Sequence, residues 1–303
     1  MVRLVGLRAY WRFVVVLYHF LPLLFGYARD RRRFLLFGPP RRVSSERRLD
    51  RAQTLLESLL TLGPTFIKLG QLLSTRPDVL PPEYIDVLSQ LQDRVPPAPW
   101  AAAKPVLEDE LGPVEEAFDD FQTEAISGAS LGQVYRAELD GQSVAVKIRR
   151  PNIEPLVEAD LRVIRWTVPA ISYFVDEARA FSLSNLADEF ARVIREEMDY
   201  EREARMLSEI GENFADDPKI AIPGVISERS SARVLTMEYI GGTKITDIEG
   251  LDELDIDRQA VAERLQRSYL EMIIEDGVFQ ADPHPGNLAV RPDGTIVFYD
   301  FGM

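Results

Sequence analysis

Three side chains near the carboxyl end have the types and spacing needed to handle a phosphoryl group. Asp282 lies five positions before Asn287, and Asn287 lies thirteen before Asp300, which opens Asp300-Phe301-Gly302. Phosphoryl transfer needs oxygen ligands for Mg²⁺ and a carboxylate that orients the attacking hydroxyl. A strand–turn–strand of thirteen residues can bring the Asn287 amide and the Asp300 carboxylate to one ion. Asp-Phe-Gly alone is a weak signal. Asp-x₄-Asn followed by a strand ending in Asp-Phe-Gly is a strong one.

A cation for the nucleotide phosphates is supplied by Val144-Ala145-Val146-Lys147, which matches a strand carrying a phosphate-binding lysine. The chain has only five Lys beside thirty Arg, yet it writes Lys here. A compact ammonium suits a position between phosphates where a forked guanidinium does not. Such a lysine needs a carboxylate from a helix. The run Glu196-Glu197-Met198-Asp199-Tyr200-Glu201-Arg202-Glu203 offers several, and spacing puts Asp199 and Glu203 on one helix face without choosing between them. The stretch 234–240, followed by Gly241-Gly242, reads as a strand entering a hinge. The backbone at Glu238, Tyr239 and Ile240 would there meet an adenine edge.

The elements that must position these groups follow from patterning. Alternating segments at 131–139 and 142–149, joined by Asp140-Gly141, predict a β-hairpin. A long charged helix is predicted over 185–214, strands near 220–228 and 232–239, a helix over 257–277, and a strand pair within 286–300. Upstream, a helical stretch over 49–75 and short helices near 83–94 and 99–111 are separated by proline-rich punctuation. No internal repeat is visible.

Composition narrows the function classes. Of 303 residues, 46% are apolar and none is cysteine, which excludes disulfides, thiolate metal sites and a catalytic thiol. The two histidines, His19 and His284, lack ligand partners at metal spacing. A Gly-x-Ser-x-Gly elbow is absent. Charge is uneven: residues 1–51 carry +9, with twelve Arg, and the remainder carries −23. The acidic body argues against nucleic-acid binding, and the basic arm suits anionic headgroups. Within that arm, residues 13–25 are strongly apolar but shorter than the roughly 20 residues of a bilayer-spanning helix. Gly26-Tyr27-Ala28 makes a poor leader-cleavage site with a basic cluster directly behind it. An interfacial anchor is the favoured expectation, with a helix packed against the body as the alternative.

Taken in order, these motifs make the sequence resemble the AarF/UbiB family of atypical kinases, over residues 49–303. The most specific token is Phe66-Ile67-Lys68-Leu69-Gly70-Gln71, followed by Ser74-Thr75-Arg76-Pro77-Asp78, which matches the family's K-x-G-Q motif on a helix ahead of the kinase body. Glu197-Met198-Asp199 matches its E-x-D motif. The resemblance implies that Lys68 pairs with Glu197 and that the extension bearing Lys68 and Gln71, together with Glu197 and Asp199, regulates access to the site. It places Glu203 as the partner of Lys147. It also aligns Ser127-Gly128-Ala129-Ser130 with the family's alanine-rich nucleotide loop, so that Ala129 and Ser130 are candidate nucleotide contacts. Gly128 departs from that pattern and would loosen the loop.

The resemblance implies an α+β, protein-kinase-like two-lobe fold with an N-terminal helical extension and an incomplete C-terminal lobe. It divides into a basic, apolar membrane-associating arm (1–48), a helical extension with K-x-G-Q (49–118), a kinase-like N-lobe with inserted helices (119–240) and a partial C-lobe (241–303). The expected cofactors are ATP and Mg²⁺: Lys147 on the phosphates, Asn287 and Asp300 on the metal, and Asp282 as the catalytic carboxylate. Expected partners are a nucleotide, a lipid or quinone-pathway component and a membrane surface, but no nucleic acid. The expected location is cytoplasmic, peripheral at the inner face of the cell membrane or anchored by 13–25. The family continues beyond its Asp-Phe-Gly turn, so an end at Met303 is expected to leave the 257–277 helix partly unsupported.

Two alternatives remain open in the sequence. An aminoglycoside- or choline-kinase-like enzyme shares the Asp-x-His-x-x-Asn loop around His284 but lacks the K-x-G-Q helix. An inactive nucleotide-binding scaffold at a membrane would keep the pocket without turnover.

Overall fold

Residues 142–149 alternate their burial partners with a period of two, and that alternation builds the second of two compact units. In the computed structural model, which describes residues 2–31, 44–93, 97–128, 130–172, 177–280 and 285–299, strand β3 (Gly132–Leu139) pairs antiparallel with β4 (Gln142–Arg149). The turn between them holds Asp140 at φ 53° and Gly141 at φ 73°. Both residues of a two-residue hairpin turn of this hand need positive φ, which Asp-Gly tolerates. The expected hairpin therefore forms in the expected register. β4 also pairs with β6 (Val234–Glu238), and β1 (Asp120–Phe121) and β2 (Ser127–Gly128) pair with β3.

On one face of this sheet, Val144, Val146 and Ile148 bury against α5 (Trp100–Leu111) and α6 (Val114–Ala117). On the other, Ala145 joins the stripe Tyr200, Leu207, Ile210 and Phe214 of α9 (Tyr200–Asn213). That second core continues into a smaller sheet, ordered β5 (Ile220–Ala221), β9 (Ile296–Phe298), β8 (Leu288–Val290), β7 (Thr243–Lys244), through Leu288, Ile296 and Phe298. Two short helices complete this unit: α10 (Ile248–Glu253), and α11 (Arg258–Glu271), which runs into a π-helical turn over Met272–Asp276. Leu270, Ile273, Ile274 and Phe279 around that turn are exposed.

Two sequence expectations need correction here. The helix expected over 185–214 is two helices, α8 (Glu177–Glu197) and α9. Asp199 stops the run because its carboxylate accepts the Arg202 amide at 3.1 Å as an N-cap. The strand expected over 220–228 shrinks to β5. Pro223 cannot donate to a ladder, and the chain rejoins β6 only at a Val225 bridge to Met237. A third element was not foreseen: α7 (Ile153–Ser172) buries Ile153, Val157, Leu161 and Ile164, a helical spacing legible in the sequence.

The first unit comprises Met1–Pro96, Ala129–Leu131 and Asn152–Ile194, and the second comprises Pro97–Gly128, Gly132–Pro151 and Arg195–Met303. In the first, α1 (Val2–Arg31) lies on α7, and α2 (Ser45–Leu62), α3 (Pro64–Ser74) and α4 (Pro82–Leu88) pack around Leu55, Leu59, Phe66 and Leu88. Gly63, at φ 91°, ends α2, and Pro64 starts α3. The 49–75 stretch is therefore helical with one break. No helix among the described residues is long and apolar enough to cross a membrane.

Gly70 shows why that helix needs glycine. A Cβ there would sit 2.3 Å from Leu91 Cδ1 and 2.8 Å from Leu59 Cδ1. Both leucines are fully buried. Gly70→Ala should therefore destabilise the chain by about 1–3 kcal/mol through overpacking, read as a lower denaturant midpoint at unchanged slope. An unchanged midpoint would mean that the α3 contact yields freely.

Candidate functional site

Lys147 and Ala145 share one face of β4, and α9 lies across that face. The helix buries Tyr200, Leu207, Ile210 and Phe214, and Glu203 falls in phase with them. The carboxylate is consequently carried into the core with the stripe. Lys147 Nζ donates to Glu203 Oε1 at 2.6 Å, and the two residues are 7% and 2% exposed. A buried charge pair of this length is held by both charge and hydrogen bonding, and neither partner can be removed cheaply. The Lys147 ammonium also lies 5.2 Å over the Tyr200 ring. A Cβ at Gly132 would sit 2.2 Å from the Tyr200 hydroxyl, so the opposing strand keeps glycine where the ring arrives.

The start of α9 is locked by its neighbours. Arg149, two residues beyond Lys147, donates to the Met198 carbonyl and, at 3.3 Å, to the Ala232 carbonyl. The Tyr200 amide donates to Ala232 as well. Asp199 spends its carboxylate on the cap, so the two carboxylates on one face have separate tasks: Asp199 starts the helix, and Glu203 meets the lysine.

β6 leads into the segment expected as a hinge. The Glu238 amide donates to Gly224 O at 2.9 Å, the Tyr239 amide donates to Ser143 O at 3.0 Å, and the Glu238 carboxylate accepts from the Gly224 amide at 3.1 Å. The Tyr239 ring lies 4.6 Å from the Arg136 guanidinium. Ile240 is buried, and its carbonyl accepts from the Tyr299 hydroxyl at 2.9 Å. Burial raises the Tyr299 phenol above its ordinary value, which keeps it a donor. A cavity of about 570 Å³ opens beside this hinge, lined by Ser143, Phe214, Asp217, Glu238, Tyr239 and Arg291 among others. Lys147 and Asn287 do not line it.

Asn287 ends a 3₁₀ turn (Pro285–Asn287) and leads into β8. Leu288 pairs with Phe298, and Asn287 O accepts the Tyr299 amide at 3.0 Å. Asn287 is thus brought to the residue immediately before Asp300. Tyr269 of α11 reaches both approaches: its hydroxyl donates to buried Gln280, two residues before Asp282, and its ring meets Phe298 edge-on at 6.0 Å. Ala129, Asp282, His284 and Asp300 lie outside the described residues. Among the described residues no cluster of three or more Asp, Glu or His side chains could hold a metal ion.

In the first unit, Lys68 is buried on α3, Gln71 donates to Leu91 O at 3.1 Å, and Ser130 is buried. Glu197 is the last residue of α8, in the second unit. Gly70 and Gln71 thus converge on Leu91, one through packing and the other through its carbonyl. The residues that the sequence reading did not single out are Tyr200, Gly132 and Arg149 near the pair, and Tyr269 and Tyr299 near Gln280, Phe298 and Ile240. Only Tyr200 carried a usable signal, as the first member of the buried α9 stripe.

A sheet lysine paired with a buried helix carboxylate is the arrangement of a kinase-like protein of mixed helix and sheet. The ABC1 atypical kinase-like domain matches residues 90–303, and the chain belongs to that family, the AarF/UbiB-type atypical kinases. It is 46% identical over 258 residues to Protein ACTIVITY OF BC1 COMPLEX KINASE 8, chloroplastic, of Arabidopsis thaliana, covering 83% of this chain and 34% of that protein. It is 40% identical over 265 residues to the uncharacterized protein sll0095 of Synechocystis, covering 86% and 47%. The chain therefore spans about a third to a half of the length of these curated relatives. A solved complex of Rv3197 with erythromycin from Mycobacterium tuberculosis matches with a TM-score of 0.54 and 27% identity, over 85% of this chain and 65% of that one.

Proposed function

We propose that the chain is an ATP-dependent phosphotransferase or ATPase acting on a small lipid or quinone-pathway acceptor at a membrane surface. The observation that carries this reading is the buried 2.6 Å pair of Lys147 and Glu203. A lysine held in place by a buried carboxylate meets phosphate oxygens without first being desolvated or ordered. Glu203 orients Lys147. Glu238 and Tyr239 spend their amides on Gly224 and Ser143, whereas no acceptor for the Ile240 amide is found among the described residues, so Ile240 is the hinge group assigned to an adenine edge. Ala129 and Ser130 are assigned to the nucleotide loop.

The donor set fits Mg²⁺, which takes hard oxygen ligands: an amide oxygen from Asn287 and a carboxylate from Asp300. When bound, the ion would neutralise charge on the phosphates. Asp282 would accept a hydrogen bond from the attacking hydroxyl or water. From the family pattern, Lys68 and Glu197 are proposed partners and Asp199 the end of the E-x-D motif. The four-part division at 48, 118 and 240, with a two-lobe body, is proposed on the same footing.

The test is Mg²⁺-dependent ATP turnover by the purified chain beside an Asp300→Asn variant. Turnover by the parent that falls at least about 10²-fold in the variant supports the reading. Nucleotide binding with equal, negligible turnover in both would instead indicate an inactive scaffold.

A further inference from the structure

α1 is apolar on two faces, and only one is covered. Val16 is buried, Phe20 packs at 6.1 Å from Phe66, and Arg12 reaches across to Asp160 of α7 and to the Leu62 carbonyl at the end of α2. These contacts fix the rotation of the helix. Trp11, Val14, Tyr18, Leu21 and Phe25, spaced i, i+3, i+7, i+10 and i+14, consequently point away from the unit and are 41–76% exposed. Trp166 of α7 widens the stripe. It is 43% exposed, with its ring 5.4 Å from Tyr10 and 6.1 Å from Phe13. A contiguous aromatic surface of this kind marks an interaction site, whereas scattered exposed apolar residues do not.

The charge around the stripe selects its partner. Exposed Arg162 and Arg165 flank Trp166, and neither has an ion-pair partner among the described residues. By sequence, residues 1–33 carry seven Arg against a single acid, Asp30. Tryptophan and tyrosine beside arginine are the side chains that settle at a bilayer's headgroup level. A second copy of the chain would bring two such arginine sets together.

We infer that the outward stripe of α1, with Trp166, Arg162 and Arg165 of α7, is a docking surface for an anionic lipid bilayer. The helix lies in the headgroup plane and keeps its inner face on α7. This deepens the membrane-surface part of the proposed function and does not depend on the phosphoryl-transfer part.

The full chain is sedimented with vesicles of phosphatidylcholine alone and of phosphatidylcholine with about 30% phosphatidylglycerol. The parent should bind the anionic vesicles, shift its tryptophan emission to the blue and release as salt is raised. Trp11→Ser/Tyr18→Ser/Phe25→Ser should lower that binding about tenfold or more with an unchanged unfolding midpoint, because these side chains are exposed. Arg162→Glu/Arg165→Glu should lose the preference for anionic over neutral vesicles. A parent that stays in the supernatant with both vesicle types overturns the inference. So does a triple variant that binds normally but converts a dimeric parent to a monomer, which would assign the stripe to a second copy. ATP turnover is measured separately, so vesicle binding without turnover removes the enzyme reading and leaves this one intact.

Discussion

Lys147→Met should lose both stability and turnover, and adding Glu203→Leu should restore only the first. In the single variant, Glu203 keeps a carboxylate at 2% exposure with its cation removed. Breaking one side of a buried pair costs about 3–5 kcal/mol, a large part of a domain's net stability. Replacing both partners with apolar side chains of similar volume removes the stranded charge. The double variant should therefore recover most of the loss and show strong non-additivity in a double-mutant cycle. On the proposed function turnover should not follow, because the lysine assigned to the phosphates is gone; both variants should be down about 10²–10³-fold. Denaturant unfolding and Mg²⁺-dependent ATP turnover, measured on the same preparations, separate the two effects. If the double variant were as active as the parent, the pair would be structural and the site would lie elsewhere. If the single variant were as stable as the parent, the carboxylate would have found water or another cation.

The legibility of this site in the sequence was uneven, for physical reasons. Lys147 was readable because strand alternation and a rare residue type coincide, and the Asp140-Gly141 turn set the hairpin register. Glu203 needed the family resemblance, although its spacing from the apolar residues of α9 already set it apart from Glu197, Asp199 and Glu201. Among the carboxylates from Glu196 to Glu203, only positions 196 and 203 are in phase with Tyr200, Leu207, Ile210 and Phe214, and the break at Asp199 leaves Glu196 on α8 and Glu203 on α9. Counting spacing between acids could not find it; counting spacing from acids to buried apolar residues narrows the choice to Glu196 and Glu203.

The break at Asp199 was hidden for the opposite reason. An aspartate inside a charged run reads as helix surface until its side chain is seen accepting the Arg202 amide. Contacts made at long sequence separation were out of reach altogether. Tyr299 donating to Ile240, or Arg149 holding Met198, depends on which strands become neighbours, and no local pattern records that. The arm illustrates the same limit: its hydrophobicity was evident, but which of its faces is covered is decided by α7, an element the sequence reading passed over.

That covered face includes a buried ion pair, and Arg12→Met should be correspondingly costly. Arg12 Nε lies 2.5 Å from Asp160 Oδ1, and Asp160 is completely buried on α7. Burial already raises the Asp160 carboxyl above its ordinary value, and Arg12 opposes that rise. Removing the guanidinium leaves the desolvation cost unopposed, so the carboxyl should rise further. The sign of the pH dependence follows. A folded-state value above the unfolded one means that the folded chain binds the proton more tightly, so the group's contribution to stability falls as pH rises through the interval between the two values. The variant should therefore be about 3–5 kcal/mol less stable than the parent at pH 7. The gap should narrow on acidification, as Asp160 takes up a proton and no longer needs a partner. Asp160→Asn, added to Arg12→Met, should abolish that pH dependence, because the remaining amide cannot ionise. Unfolding midpoints at pH 7 and pH 5 for the parent and both variants test this. A gap that stays constant with pH would mean that Arg12 holds α1 through the Leu62 carbonyl and its 5.7 Å contact with the Phe66 ring, rather than through the charge on Asp160.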